Sequence, residues 1–448
     1  MRIPAIALIL LTALRLPAQQ AAQSARPAHG TARSTTKATP GVDKIISPAS
    51  VEAIERVLAA DSMRGRATFT PDIEHAADYL EAQFKKAGLR TWNGSNSYRQ
   101  PFALIRTTPI SSTATLDGNP LPDTRFLVIT PSADLTIDEN NDYQKVFLKP
   151  GADLRTEARR YIRGRTSTLV FVDSSYAASF SSLARYSRQQ FNYDRNIVFI
   201  LANGTPAHYS IHFTQQVTES KLANVIGILP GTSKKQEFVI FSGHYDHLGV
   251  RKPDEKGDSI YNGANDDASG TTAVILLARY FAKKKNNART LVFAAFTAEE
   301  IGEFGSQYFS EQFDPAAVAA MFNIEMIGSE SKWGGNSAFI TGYERSDMGK
   351  ILSKNLAKTA FTFYPDPYPD QQLFYRSDNA SLAKLGVPAH TISTTKIDVD
   401  KYYHTPEDEI GTIDMKNMAR IIKAIALSST SIVEGKDTPT RVDTTQLR

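Results

Sequence analysis

The sequence predicts an α/β protein whose central sheet is covered by helices on both faces. Two observations carry the prediction. After Lys221, apolar runs of strand length (224–229, 238–241, 290–296 and 317–324) are spaced by turns and by a helix-period segment at 271–282. Those runs are nearly continuous in apolar residues rather than alternating with polar ones, so both faces of each strand need cover. With 448 residues, 41% of them hydrophobic, the chain has ample material for such a core.

In chain order, Arg2 precedes an apolar run at 3–14, and Leu16-Pro17-Ala18 offers a cleavage site before Gln19. This is the pattern of an export signal over 1–18, too short for the roughly 20 residues of a membrane span. The expectation is a chain sent to the periplasm or outside the cell, with no integral membrane segment after signal cleavage. Residues 19–43 are rich in Ala, Gln, Ser, Thr and Pro and read as a linker. Ser47-Pro48 caps and opens a helix with Val51, Ile54, Val57 and Leu58 on one face. Thr70-Pro71 opens a second, striped by Ile73, Ala77, Leu80 and Phe84 and stopped by Gly88. Residues 101–217 mix strand-like pieces with a basic helix-like stretch at 154–162. They read either as an inserted subdomain or as edge elaborations of the main sheet. The runs 224–229 and 238–241, joined through Pro230-Gly231, read as adjacent strands. The main domain would thus comprise 44–100 and 218–433, and 434–448 reads as a polar tail.

Composition excludes several function classes. A formal net charge of +4, with no basic tract carrying interleaved aromatics, argues against nucleic acid as a partner. The chain has no cysteine, so disulfides, thiolate metal sites and a cysteine nucleophile are all excluded. Any metal must be held by His and carboxylates, a donor set that suits catalytic rather than structural zinc. Nothing in the sequence specifies an oligomeric state.

The chemistry-bearing residues gather where apolar runs stop. His244 and Asp246 follow the run 238–241. Asp266 lies in the Gly-flanked turn 263–270. Glu299 and Glu300 follow 290–296, and Glu325 closes 317–324. Ligand sites in open α/β sheets lie beyond the carboxyl ends of the strands, so these segments should converge on one edge. Two imidazoles with carboxylates and no thiolate suit zinc, manganese or cobalt. Asp266, in a turn with glycines on both sides, is placed to bridge two metals. Asp246, two residues after His244, is a candidate to fix the imidazole tautomer. Glu299 and Glu300 cannot both point the same way, so one can ligate while the other faces water. His247 lies in the same loop and reads as structural.

The segments Gly243-His244-Tyr245-Asp246, 263–270, Ala298-Glu299-Glu300-Ile301-Gly302, Asn323-Ile324-Glu325-Met326 and Tyr403-His404-Thr405 resemble the motif set of the co-catalytic di-zinc aminopeptidases. This is the bacterial leucyl aminopeptidase type, related to glutamate carboxypeptidase and glutaminyl cyclase (peptidase clan MH). The resemblance spans most of 47–100 and 221–432; at 101–217 many members carry a protease-associated insert. It implies a three-layer α/β/α sandwich with a mixed central sheet, phosphorylase/hydrolase-like, plus a small inserted subdomain. It implies two zinc ions, one held by His244, Asp266 and Glu325 and the other by Asp266, Glu300 and His404. Glu299 would be the general base and acid, and Tyr403 a candidate to stabilise the oxyanion. The implied substrate is a peptide whose free amino terminus binds near Glu299 and Glu325.

The sequence departs from the family pattern at three points. Glu325 stands where Asp is usual, Glu303 replaces a common Leu, and Ser377-Asp378-Asn379 resembles a Ser-Asp-His without its His. Asp378 is therefore kept as a residue behind the site or in its pocket. A glutaminyl cyclase-like transferase, a carboxypeptidase and a non-catalytic binding module on the same fold stay open as alternatives.

Overall fold

The computed structural model describes residues 41–447. The expected export signal and nearly all of the expected linker lie outside them. Eight strands form the body of the main sheet: β1 (Arg99–Leu116), β2 (Tyr209–Leu229), β3 (Lys234–His244), β4 (Arg289–Phe296), β5 (Val318–Ile324), β6 (Ser337–Ile340), β7 (Thr362–Pro365) and β8 (Ala389–Ser393). They lie in the order β7-β6-β8-β5-β3-β4-β2-β1. The sheet is mixed: β8, β5, β3 and β4 are mutually parallel, whereas β2 runs antiparallel to β4.

Both faces are covered. Along β3, Val239 and Phe241 join one core and Ile240 the other; along β4, Leu291 and Phe293 alternate with Val292 and Ala294 in the same way. That alternation is the pleat, and burial on both sides explains the continuous apolar runs. The first core packs under α1 (Pro48–Leu58), α2 (Pro71–Ala87) and later helices at Ser269–Lys284 and Met415–Ser428. Helix α1 starts as its sequence dictates, with the Ser47 hydroxyl accepting from the Ser50 N–H in a capping box. Thr70 does not cap α2; its hydroxyl donates to the Ala67 carbonyl instead.

Two elements differ from expectation. Strands β2 and β3 are consecutive but not adjacent, because β4 lies between them and pairs with both. Periodicity identifies strands but carries no information on which neighbour a crossover inserts. Residues 434–447 are not a loose tail. Arg289 donates to the Asp437 carbonyl, Arg441 to the Val318 carbonyl, and Val442 is 4% exposed. Polar composition is compatible with order here because buried Arg289 binds the tail's backbone and the tail's own Arg441 bonds back to β5. In 101–217, β1 and β2 run out of the sheet as a long antiparallel ribbon. Beyond it lies a small four-stranded sheet of Phe126–Ile129, Ile197–Leu201, Thr168–Val172 and Gln144–Leu148. It has cores of its own and a helix, α3 (Leu154–Arg163). Among the described residues no helix is long and apolar enough to cross a membrane.

Candidate metal centre

The parallel strands deliver their carboxyl ends to one edge. His244 is the last residue of β3, Glu325 follows β5 directly, and Glu299 and Glu300 lie three and four residues beyond β4. Asp266 comes from the turn ahead of α4 (Ser269–Lys284), and His404 from a loop after β8. All six converge. The two oxygens of Asp266 face different imidazoles: Oδ1 lies 3.1 Å from His244 Nε2 and Oδ2 lies 3.2 Å from His404 Nε2. Glu325 Oε1 is 3.4 Å from His244 Nε2, and Glu300 Oε2 is 3.2 Å from His404 Nε2. Glu299 Oε2 stands further back, 3.9 Å from His244 Nε2. The result is two donor sets sharing one aspartate.

The local sequence builds this arrangement. Asp267 accepts N–H groups from His244, Gly270 and Met326 at 3.0–3.1 Å, tying three ligand-bearing segments together. Gly270 must be glycine: a Cβ there would lie 2.0 Å from the Ile324 carbonyl and 2.4 Å from Asp267. Gly263 has φ +61°, and its Cβ would strike the His247 ring at 2.5 Å. Asp408, also buried, accepts the N–H groups of Asn265 and Asp266 at 2.8 and 3.0 Å. Fully buried Arg66 donates to the carbonyls of Tyr245, Asn262, Gly263 and Leu58, clamping the His244 loop to the Asp266 turn. Ala298, Met326 and His404 hold positive φ at 61°, 51° and 59°, a cost of order 1–3 kcal/mol each that commonly marks functional sites.

Asp246 acts differently from expectation. His244 Nδ1 donates to the Asp246 backbone carbonyl at 2.9 Å, while the Asp246 carboxylate is 3.8 Å away. The carbonyl is only an acceptor, so it fixes the proton on Nδ1 and leaves Nε2 free to ligate. The carboxylate instead accepts the Glu299 and Glu300 N–H groups and the Thr68 hydroxyl. The carboxylate thus orients the base-bearing turn, and only the backbone sets the tautomer. The Tyr403 ring stacks on His404 at 3.9 Å. Burial pushes its hydroxyl above the usual tyrosine range. Asp378 is buried at the start of the helix Asn379–Ala383, and burial pushes it up to about 8. His390, as its strand position suggests, is structural: it bonds Thr341 and Ser346, and burial lowers it to about 4.

Three groups were not read from sequence as part of the site. His247 Nδ1 is 2.6 Å from Glu300 Oε1, the Ser377 hydroxyl donates to Glu325 Oε2 at 2.8 Å, and Asp408 holds the bridging turn. The available signals were His247's place three residues after His244 and Asp408's four after His404. Ser377's only signal was its place in the segment Ser377-Asp378-Asn379.

The donor set fits metal. Carboxylates outnumber imidazoles, and among the described residues no lysine or arginine forms an ion pair with Asp266, Glu299, Glu300 or Glu325. Burial works to lower His404, yet its hydrogen bonds to Asp266 and Glu300 raise it to about 10. Burial pushes Glu299 well above the carboxylate range, with His244 opposing and Glu325 adding to the rise. Divalent cations would neutralise this excess negative charge. Metal-ligating atoms also cluster as His244, Asp267, Glu325 and as His247, Asp266, Glu300. The Asp267 oxygens are already taken up by three N–H groups, so Asp266 is the better-placed carboxylate for both imidazoles.

Residues 224–429 match the model of peptidase family M28. A probable zinc metalloprotease of Pyrenophora teres f. teres is 38% identical over 110 residues, 24% of this chain and 23% of that protein. A probable leucine aminopeptidase of Trichophyton verrucosum is 30% identical over 217 residues, 46% of this chain and 54% of that protein. The chain thus spans about a quarter to a half of the length of these curated relatives. A solved aminopeptidase from Aneurinibacillus sp. strain AM-1 superposes with a TM-score of 0.52 at 18% identity. That superposition covers 87% of this chain and 95% of the other, and it is a likeness of fold. The match to peptidase family M28 spans residues 224–429, which contain every ligand candidate above.

Proposed function

We propose that the protein is an exported zinc aminopeptidase that removes N-terminal residues from peptides. The observation that carries this reading is Asp266, whose two oxygens each face a different imidazole–carboxylate pair. His244, Asp266 and Glu325 would hold one zinc ion, and Asp266, Glu300 and His404 the other. When bound, zinc lowers the pKa of water to about 7 and polarises a carbonyl.

The chain's own residues do the rest. Glu299 is the free carboxylate of the centre: it takes the proton of the attacking water and returns it to the leaving amine. Its burial and raised pKa suit both halves of that task. Tyr403 lines the cavity with Glu299 and His404 and supplies a hydroxyl for the developing oxyanion. Glu299 and Glu325 receive the free amino group. Beside them opens a cleft of about 460 Å³, lined by Gln371, Gln372 and Arg376 among others, where the remainder of the peptide would lie.

The test is hydrolysis of one peptide series with free and acetylated amino termini. Sequential N-terminal release from the free peptides alone, abolished by a chelator and restored by zinc, is expected. Release from the carboxyl end would mark a carboxypeptidase. Cyclisation of N-terminal Gln without hydrolysis would mark a transferase. Export rests on Arg2 and the apolar run 3–14; secreted protein should begin at Gln19 by N-terminal sequencing, and an intact Met1 on exported protein would refute cleavage.

A further inference from the structure

Glu300 is gripped at both oxygens. Oε2 faces His404 Nε2 at 3.2 Å, and Oε1 lies 2.6 Å from His247 Nδ1. The carboxylate can only accept, so Nδ1 carries the proton and donates. The His247 ring is buried and has no room to turn away, because Gly263 closes against it and the His404 ring lies edge-on with its centroid 5.7 Å away. Its other nitrogen, Nε2, is buried without a hydrogen-bond partner. An arrangement that leaves one buried ring nitrogen unsatisfied is costly and needs a return from the other. The opposite half of the centre repeats the pattern: Glu325 offers Oε1 to His244 while Ser377 holds Oε2 at 2.8 Å.

We infer that His247 is a positioning residue that occupies one oxygen of Glu300, so that only the other reaches the metal beside His404. This rests on the two-metal reading above. A carboxylate held this way ligates through one atom and cannot close over the metal with both. Asp266, Glu300 and His404 would then offer three protein atoms to the metal and leave a position for water, as catalytic zinc requires. His247 therefore sets the affinity and the openness of one metal position and leaves the other alone.

Zinc titration of the metal-stripped full-length protein, followed by cobalt substitution and visible absorption, tests this. Outer partners of metal ligands typically control affinity by 10–100-fold. His247→Leu should weaken one of two binding steps by about that factor, leave the other unchanged, and lower the cobalt absorption of one site as its coordination number rises. His247→Asn presents an amide N–H where Nδ1 stood and should restore both. Equal affinities and an unchanged cobalt spectrum in His247→Leu would overturn the inference, as would an Asn variant no better than Leu. If His247→Leu fails to fold, the Asn variant against His247→Gln, whose amide reaches past Glu300, makes the same comparison. Failure of the wild type to bind metal at all would instead sink the two-metal reading.

Discussion

Glu299 and Glu300 are neighbours to which the proposed mechanism gives opposite tasks, and their positions support the division. Glu300 faces His404 at 3.2 Å and Glu299 stands back from His244 at 3.9 Å. Glu299→Gln should keep its metal by elemental analysis and lose about 10²–10⁴-fold in kcat, the usual worth of general acid–base catalysis. Loss of metal in that variant would reverse the two roles. Glu325→Ala and His404→Ala should each forfeit one metal of two. Most of these residues were legible because each closes an apolar run. His247, Ser377 and the Asp246 carbonyl were not, since their roles depend on which loops meet, which periodicity does not encode. The backbone carbonyl of Asp246 is available in any sequence, and only its distance from His244 Nδ1 reveals its use.

At the scale of elements, the site depends on clamps between loops. Arg66 fills four carbonyls from three segments with one buried guanidinium. Arg66→Lys keeps the charge but cannot reach all four, and each carbonyl left without a donor costs about 1–3 kcal/mol. A drop of more than about 3 kcal/mol in a denaturant titration is expected, and wild-type stability would show that the clamp is dispensable. Glu55 on α1 is fully buried, and burial raises it from 4.5 to about 8, the Thr272 hydroxyl and then Arg66 only partly offsetting this. The folded chain then keeps a proton that the unfolded chain releases. Stability from this group is therefore lost as pH climbs from 4.5 to about 8. Glu55→Gln should raise the melting temperature progressively over that window and leave it unchanged below; a uniform shift would remove titration as the cause. The strands and capped helices were readable from apolar runs and Ser47-Pro48, but the insertion of β4 between β2 and β3 was not. Strand order is a property of crossovers, and every buried strand here has the same apolar pattern.

Over the whole molecule, parallel strand ends supply one wall of the centre and long-range loops close it. The small sheet beyond the β1–β2 ribbon reaches back toward this edge: Arg163 on α3 lies 3.4 Å from Glu303, just after the Glu299–Glu300 turn, and Arg165 lies 2.8 Å from Glu311. The sequence showed Glu303 only as a departure from the family pattern; its partner Arg163 is 140 residues away. Asp266 would be the ligand shared by both metals. Elemental analysis of desalted wild-type protein and Asp266→Ala tests this most directly. About two zinc ions per chain in the wild type and loss of both in the variant is the predicted result. A wild type near zero, or a variant that keeps both ions, would contradict it.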